Sequence, residues 1–429
     1  MRVPTDAEWA HSTKWARRMR KLDVDASRYP ITPGNIQILQ LRAAADPWLP
    51  RLKSFVCVEA TGEFIPFIPS FLSPKTTVIN VEFAEDASVA VLASVISRLS
   101  TLCPSLNAIT LDYLPRAPVI TEAVSGMLLA CNPDILETFN VDSSLTEEAR
   151  EVVYRLPKLS HLWTLIQGST SLPTVTLPNL FAIDVEYDDL DWLQGFHGAT
   201  LEKLESVTFR TESNHTGDIL KAFEDIALAA SAQNTLAEFL FDTSRSWNPN
   251  YSALLSFKQL EHISIEFSCR GGCSSRVDDD IAISLARAMP KLEVLQLGTA
   301  PCKTPTGVTV KGLIALARFC PHLTKLCIHF RASTLVGAAT SGAILSPSDE
   351  PGVLREECAL TDLETGKTPI PAGSGLEVAQ SLVQIFPRIL NLKYKNHIWG
   401  IVASIIRDFS PSDYQRASKA HASHIFDGP

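Results

Sequence analysis

The sequence predicts an α/β fold, a leucine-rich-repeat solenoid or horseshoe, with parallel strands on the concave face and helices on the convex face. Three observations predict it. A PxLxxLxL frame recurs along the chain, helix-period segments precede several copies of it, and the composition suits a core spread over 429 residues. Hydrophobic residues make up 45% and charged residues 20%, with a mean hydropathy of +0.09, which excludes global disorder.

The frame is clearest where MPKLEVLQL, from Met289, is laid on CPHLTKLCI, from Cys320. Pro290 meets Pro321, Leu292 meets Leu323, Leu295 meets Leu326 and Leu297 meets Ile328. It returns as Pro50-Leu52-Phe55-Cys57, Pro104-Leu106-Ile109-Leu111, Pro178-Leu180-Ile183-Val185 and Pro387-Ile389-Leu392-Tyr394, with a partial copy at Pro157-Leu159-Leu162. An apolar LxxLxL triplet alone arises by chance about once per 15 positions. The proline discriminates, because chance would set roughly two of the 27 prolines ahead of such a triplet and six full copies carry one. Copies without it fall at Ile36-Leu39-Leu41, Val78-Val81-Phe83, Leu136-Phe139-Val141, Leu204-Val207-Phe209, Leu236-Phe239-Phe241, Leu260-Ile263-Ile265 and Leu360-Leu363. Most neighbouring units lie about 21 to 37 residues apart, around the leucine-rich-repeat period.

Residues 1–30 predict an N-terminal capping helix segment. In it KWARRMRKL clusters Lys14, Arg17, Arg18, Arg20 and Lys21, read as a solvated helix face. Residues 31–398 predict the repeats themselves. DDDIAISLARAMP and TVKGLIALARFCP show apolar residues at helical spacing, stopped by proline, and SVAVLASVISRLSTLCP and EVAQSLVQIFP read the same way. Each unit is therefore a helix, a turn at the proline and a short strand. Residues 331–357, rich in Ala, Ser, Gly and Pro, predict an inserted surface loop. Residues 399–429 predict a capping helix bearing Trp399, Val402, Ile405 and Ile406, then a frayed tail.

Strand geometry nominates a surface. The last two apolar residues of LxxLxL point into the core, and the residue between them points outward. This selects Thr110, Asp184, Thr208, Ser264, Gln296, Cys327 and Lys393 as candidate concave-face recognition residues. In RFCPHLTKLCIHF the same reasoning separates four residues that resemble a metal finger. Cys320 packs inward at the helix end, His322 falls in the turn, and Cys327 and His329 stand with Lys325 on the exposed face.

Other chemistry is not supported. ETGKTP lacks the first glycine of a phosphate loop, since Thr361 stands there. Cys269 and Cys273 have no second pair at finger spacing, and Asp278 to Asp280 suit a helix N-terminus better than a cation. No GxSxG or HExxH is present, so the expectation is a non-enzyme with no cofactor and no metal. The net charge of −9 and pI near 5.6 argue against nucleic acid as a partner. No apolar stretch is long enough for a membrane span and MRVPTDAEWAHSTKW has no signal-peptide core, so a cytoplasmic or nuclear location with nine reduced cysteines is expected. The sequons at Asn214 and Asn250 carry no meaning there.

Four stretches resemble the mushroom-type fungal F-box proteins with degenerate leucine-rich repeats. They are the opening PTDAEWAHSTKWARRMRKL, the phrases CPSLNAITL and CPHLTKLCI, the late LTDLETGKTPIPAGSGLEVAQSLVQIFPRI, and Trp399 with its helix. The resemblance implies an adaptor in which an F-box docks onto the Skp1 subunit of an SCF-type cullin ubiquitin ligase and the repeats hold the protein to be ubiquitinated. Nothing between Met1 and Arg28 resembles the F-box itself, so it is expected to be absent from this chain and Skp1 to be a partner only where an upstream F-box exists. The alternative is a repeat scaffold for protein–protein interaction unrelated to ubiquitination.

Overall fold

A computed structural model describes residues 5–28, 34, 48–166, 177–187, 201–211, 235–243, 251–267, 277–298, 307–338, 358–366, 368–394 and 397–409. They fall in two compact units, Met1–Leu204 and Glu205–Pro429.

The first unit opens with α1 (Asp6–Ala16), started by a capping box in which the Glu8 amide donates to the Thr5 hydroxyl and the Thr5 amide to the Glu8 carboxylate. There follow β1 (Lys21–Asp25), β2 (Ser54–Ala60), α2 (Ile68–Phe71), β3 (Val78–Phe83), α3 (Val89–Ile96), α4 (Leu99–Leu102) and β4 (Ala108–Asp112). The unit continues with α5 (Pro118–Ala130), β5 (Thr138–Ser144), α6 (Glu147–Val153), β6 (His161–Ile166) and β7 (Ala182–Tyr187). Each strand pairs in parallel with the next in chain order. Nearest-neighbour parallel stacking of this kind is the signature of a solenoid.

The second unit repeats the arrangement. Its elements are β8 (Ser206–Thr211), β9 (Glu238–Thr243), β10 (His262–Phe267), α7 (Asp279–Ala288), β11 (Val294–Leu297) and α8 (Val310–Phe319). After them come β12 (Lys325–Ile328), β13 (Asp362–Gly366), α9 (Gly375–Ile385), β14 (Asn391–Tyr394) and α10 (His397–Phe409). Strands β8 to β14 again pair in parallel and in order. Among the described residues, no helix is long and apolar enough to cross a membrane.

The proline of the frame acts by restricting the residue before it. A residue preceding proline is pushed out of the helical region. Cys103, Met289, Cys320 and Phe386, each preceding such a proline, end α4, α7, α8 and α9 with φ between −129° and −115° and ψ between 69° and 80°. The chain then turns. The carbonyls of Cys103, Met289, Cys320 and Phe386 accept from the amides of Leu106, Leu292, Leu323 and Ile389 at 3.1 to 3.2 Å, with proline at the second turn position, where its fixed φ is favourable. Three residues later the inward pair of the strand begins.

That pair forms the core. In β4 Ile109 and Leu111 are buried, as are Phe139 and Val141 in β5, Ile263 and Ile265 in β10, and Leu295 and Leu297 in β11. Each such side chain contributes about 1.5–3 kcal/mol on burial. At the N-terminal end Phe71 packs against Trp48, Phe55 and Phe64 with ring centroids 5.7 to 6.1 Å apart.

Several expectations shift. The strand β1 begins at Lys21, inside the segment expected to be only a helical cap, so the sheet starts earlier than residue 31. The frame placed at Val78-Val81-Phe83 lies two residues earlier, because Ile79 and Val81 are the register partners of Ile109 and Leu111. Its first position is Thr76, a buried residue hidden from an apolar pattern, whose hydroxyl donates to the Leu52 carbonyl at 3.2 Å. In β14 neither Leu392 nor Tyr394 is fully buried, since α10 rather than another strand follows it. The start of the expected insertion is core: Ala332, Leu335 and Ala338 are buried. The remainder of that loop, the Ile36 copy, Cys269, Cys273, the sequons and the tail lie outside the described residues.

Candidate recognition surface

The outward residues of successive strands align in one row across each unit, because parallel pairing keeps the register constant. In the first unit the row runs Asp23, Val56, Asn80, Thr110, Asn140, Trp163 and Asp184. In the second it runs Thr208, Leu240, Ser264, Gln296, Cys327, Glu364 and Lys393. All seven outward residues selected from the repeat frame therefore occupy this row, two in the first unit and five in the second. Lys325 stands two residues earlier on β12, and His329 two residues later.

Exposure differs from expectation at two of these positions. Cys327 keeps its outward register, between Gln296 and Glu364, but is 3% exposed. Strands in a sheet lie about 4.8 Å apart, so a short side chain is covered by longer neighbours. Burial, with Glu364 nearby, pushes its thiol up to about 12, which keeps it protonated and unreactive at neutral pH. Thr208 is buried for the same reason. The others are half-buried, apart from Lys393, which is exposed.

Cys320 is wholly buried at the end of α8, its sulfur 3.7 Å from the carbonyls of Ala286 and Met289, and burial pushes its thiol up to about 12. His322 is exposed in the turn. Cys320 and His322 thus stand apart from Cys327 and His329, which share the outward side of the chain at β12.

Polar side chains bind one another across the face of the second unit. The Gln296 amide donates to the Glu266 carboxylate at 2.5 Å, Ser206 to Glu238 at 2.7 Å, and Asn391 to Asp362 at 3.0 Å. His262 lies 3.8 Å from carboxylates of both Glu238 and Glu293. On the first unit Arg116 reaches from the segment after β4 to pair with Glu186 on β7. On the same unit Glu82, Asp112 and Asp142 follow one another on β3, β4 and β5. Burial first, and then Asp142 and Glu82, push the Asp112 carboxyl up to about 6.

The repeat frame passed over Asp23, Val56, Asn80, Asn140, Trp163, Leu240 and Glu364. Val56, Asn140 and Leu240 sit between inward pairs already recognised, so the same rule reaches them, and Asp23 lies on β1, which the frame did not reach. Asn80, Trp163 and Glu364 escape it because threonine fills a core position of their units, at Thr76, Thr164 and Thr365.

No family model matches the chain, and no curated protein matches it. Among solved structures, the chain is similar to a chain of the yeast Rad7 and Elc1 complex, with 12% identity, a TM-score of 0.48, and coverage of 91% of this chain and 89% of that one.

Proposed function

We propose that the chain is a non-enzymatic protein-recognition solenoid, a substrate-receptor-like relative of the F-box and leucine-rich-repeat subunits of SCF ubiquitin ligases. The observation that supports recognition is the row of outward amide, hydroxyl, carboxylate and amine side chains held at constant register on paired strands. Groups fixed on a rigid sheet lose little conformational freedom on binding, which favours affinity for a complementary protein surface. The ligase connection rests on the sequence resemblance and is tested separately.

Photo-crosslinking groups at Ser264 and Gln296, with one at Glu122 on the helical side as a comparison, test the surface in cells. The expected outcome is a shared crosslinked protein at Ser264 and Gln296 that Glu122 does not capture. Capture of the same protein at all three positions defeats the strand-face reading. For the ligase connection, purified Skp1 is mixed with this chain and with a version extended by the upstream coding sequence. Binding by neither leaves a scaffold without a ubiquitin role.

A further inference from the structure

The basic run read from the sequence as a solvated helix face lines a cavity of about 680 Å³ in the first unit, bounded by Ala10, Thr13, Lys14, Arg17, Arg18, Pro50, Arg51 and Lys75. Ala10, Thr13, Lys14 and Arg17 follow the i, i+3, i+4, i+7 spacing of one helical face, so α1 presents a continuous stripe to it. Arg51 comes from the turn before β2 and Lys75 from the turn before β3. Five cations converge, and among the described residues the lining holds no carboxylate. All five are exposed, and among the described residues none makes an ion pair; Arg18 rests over the Trp15 ring at 5.8 Å.

This convergence needs a cause. Cations at the end of α1 favour its dipole, which accounts for Lys14, Arg17 and Arg18. It does not account for Arg51 and Lys75, brought to the same cavity from two other segments in a chain of net charge −9. Like charges gathered around a concavity repel one another, and an anion seated there reverses the sign of that energy.

We propose that this cavity binds a compact soluble anion bearing two or three phosphate groups. A phosphate carries about −1.5 to −2 charges at neutral pH, so two offset most of the charge of the five cations and three balance it. The planar forks of Arg17, Arg18 and Arg51 match phosphate oxygens in pairs, and Lys14 and Lys75 add point charges. The volume lies within the roughly 300–1,000 Å³ of small-molecule sites, and suits a compact ligand better than a long nucleic-acid strand, which needs an extended basic track. The cavity shares no residue with the outward strand row, so either proposal can fail without the other.

The test is calorimetric titration of the full chain with sodium tripolyphosphate at about 50 mM NaCl. Saturable one-to-one binding is expected, weakened about tenfold or more by Arg17→Glu with Arg51→Glu, weakened similarly by raised salt, and unchanged by Arg155→Glu elsewhere on the unit. All three arginines are exposed. Circular dichroism melts establish that the double variant folds; if it does not, Lys75→Gln carries the same readout. Absence of saturable binding, or equal binding by the reversed variant, overturns the proposal. So does tighter binding of a single-stranded oligonucleotide at equal phosphate concentration, or binding confined to phosphoinositide vesicles.

Discussion

The His329 imidazole closes directly on Gly366: a Cβ added to the glycine would lie 2.6 Å from His329 Cε1 and 2.9 Å from Nε2. Gly366 also has φ +56°, where an L side chain is strained, and β13 changes register against β14 between Glu364 and Gly366. The glycine of ETGKTP is thus explained by packing. Gly366→Ala is expected to cost about 1–3 kcal/mol in urea unfolding from the backbone alone. Adding His329→Ala should recover the steric part and leave the backbone part.

Thr365 occupies a core position, two residues after Leu363, where the preceding strand has Ile328. Among the described residues its buried hydroxyl finds no hydrogen-bond partner. Thr365→Val keeps the shape and removes the unmet polar group. It should raise stability by about 1 kcal/mol, read as a higher denaturation midpoint with an unchanged slope.

Asp279 links two repeats. Its carboxylate, at the start of α7, accepts from the Thr309 amide at 2.7 Å, the Thr309 hydroxyl at 2.6 Å and the Gly312 amide at 3.0 Å, all at the start of α8. Neighbouring Asp278 caps α7 itself, accepting from Ile281 at 3.0 Å. Asp279→Ala is expected to lose about 2 kcal/mol, and Asp279→Asn less, in thermal or urea unfolding. Gly312→Ala should act on the same contact, since its Cβ would meet the Asp279 oxygen at 2.8 Å.

Asp112 makes stability depend on pH. Its carboxyl titrates at about 6 in the folded chain against an ordinary 3.8, so between these values the folded state holds a proton that the unfolded state has released. Its contribution therefore becomes more stabilising as pH falls from above 6 towards 4. Asp112→Asn should raise stability at pH 7 by on the order of 1 kcal/mol, a value reduced for solvent screening at this half-exposed site, and should give no gain near pH 4. Melting temperatures across that range decide it.

Where local rules suffice, the sequence was legible. The Cys320-Pro321 helix stop, the turn through His322 and the inward Leu326 and Ile328 all follow from pre-proline restriction and strand alternation within a few residues. Legibility failed at Thr76, Thr164 and Thr365, because an apolar template has no place for a buried hydroxyl. Thr76 and Thr164 fit the core by donating to the carbonyls of Leu52 and Ser143 on the neighbouring repeat.

The sequence by itself determined the repeat and, wherever the core positions are apolar, its strands and the residues that face outward, since each depends on neighbours close along the chain. Tertiary structure alone decided what stacking brings together. It covered Cys327 between Gln296 and Glu364, set Asp279 on the next helix, and drew Arg51 and Lys75 to the basic stripe of α1. These are meetings of residues separated by roughly a repeat or more. Their geometry follows from the register between neighbouring repeats, which no local pattern encodes.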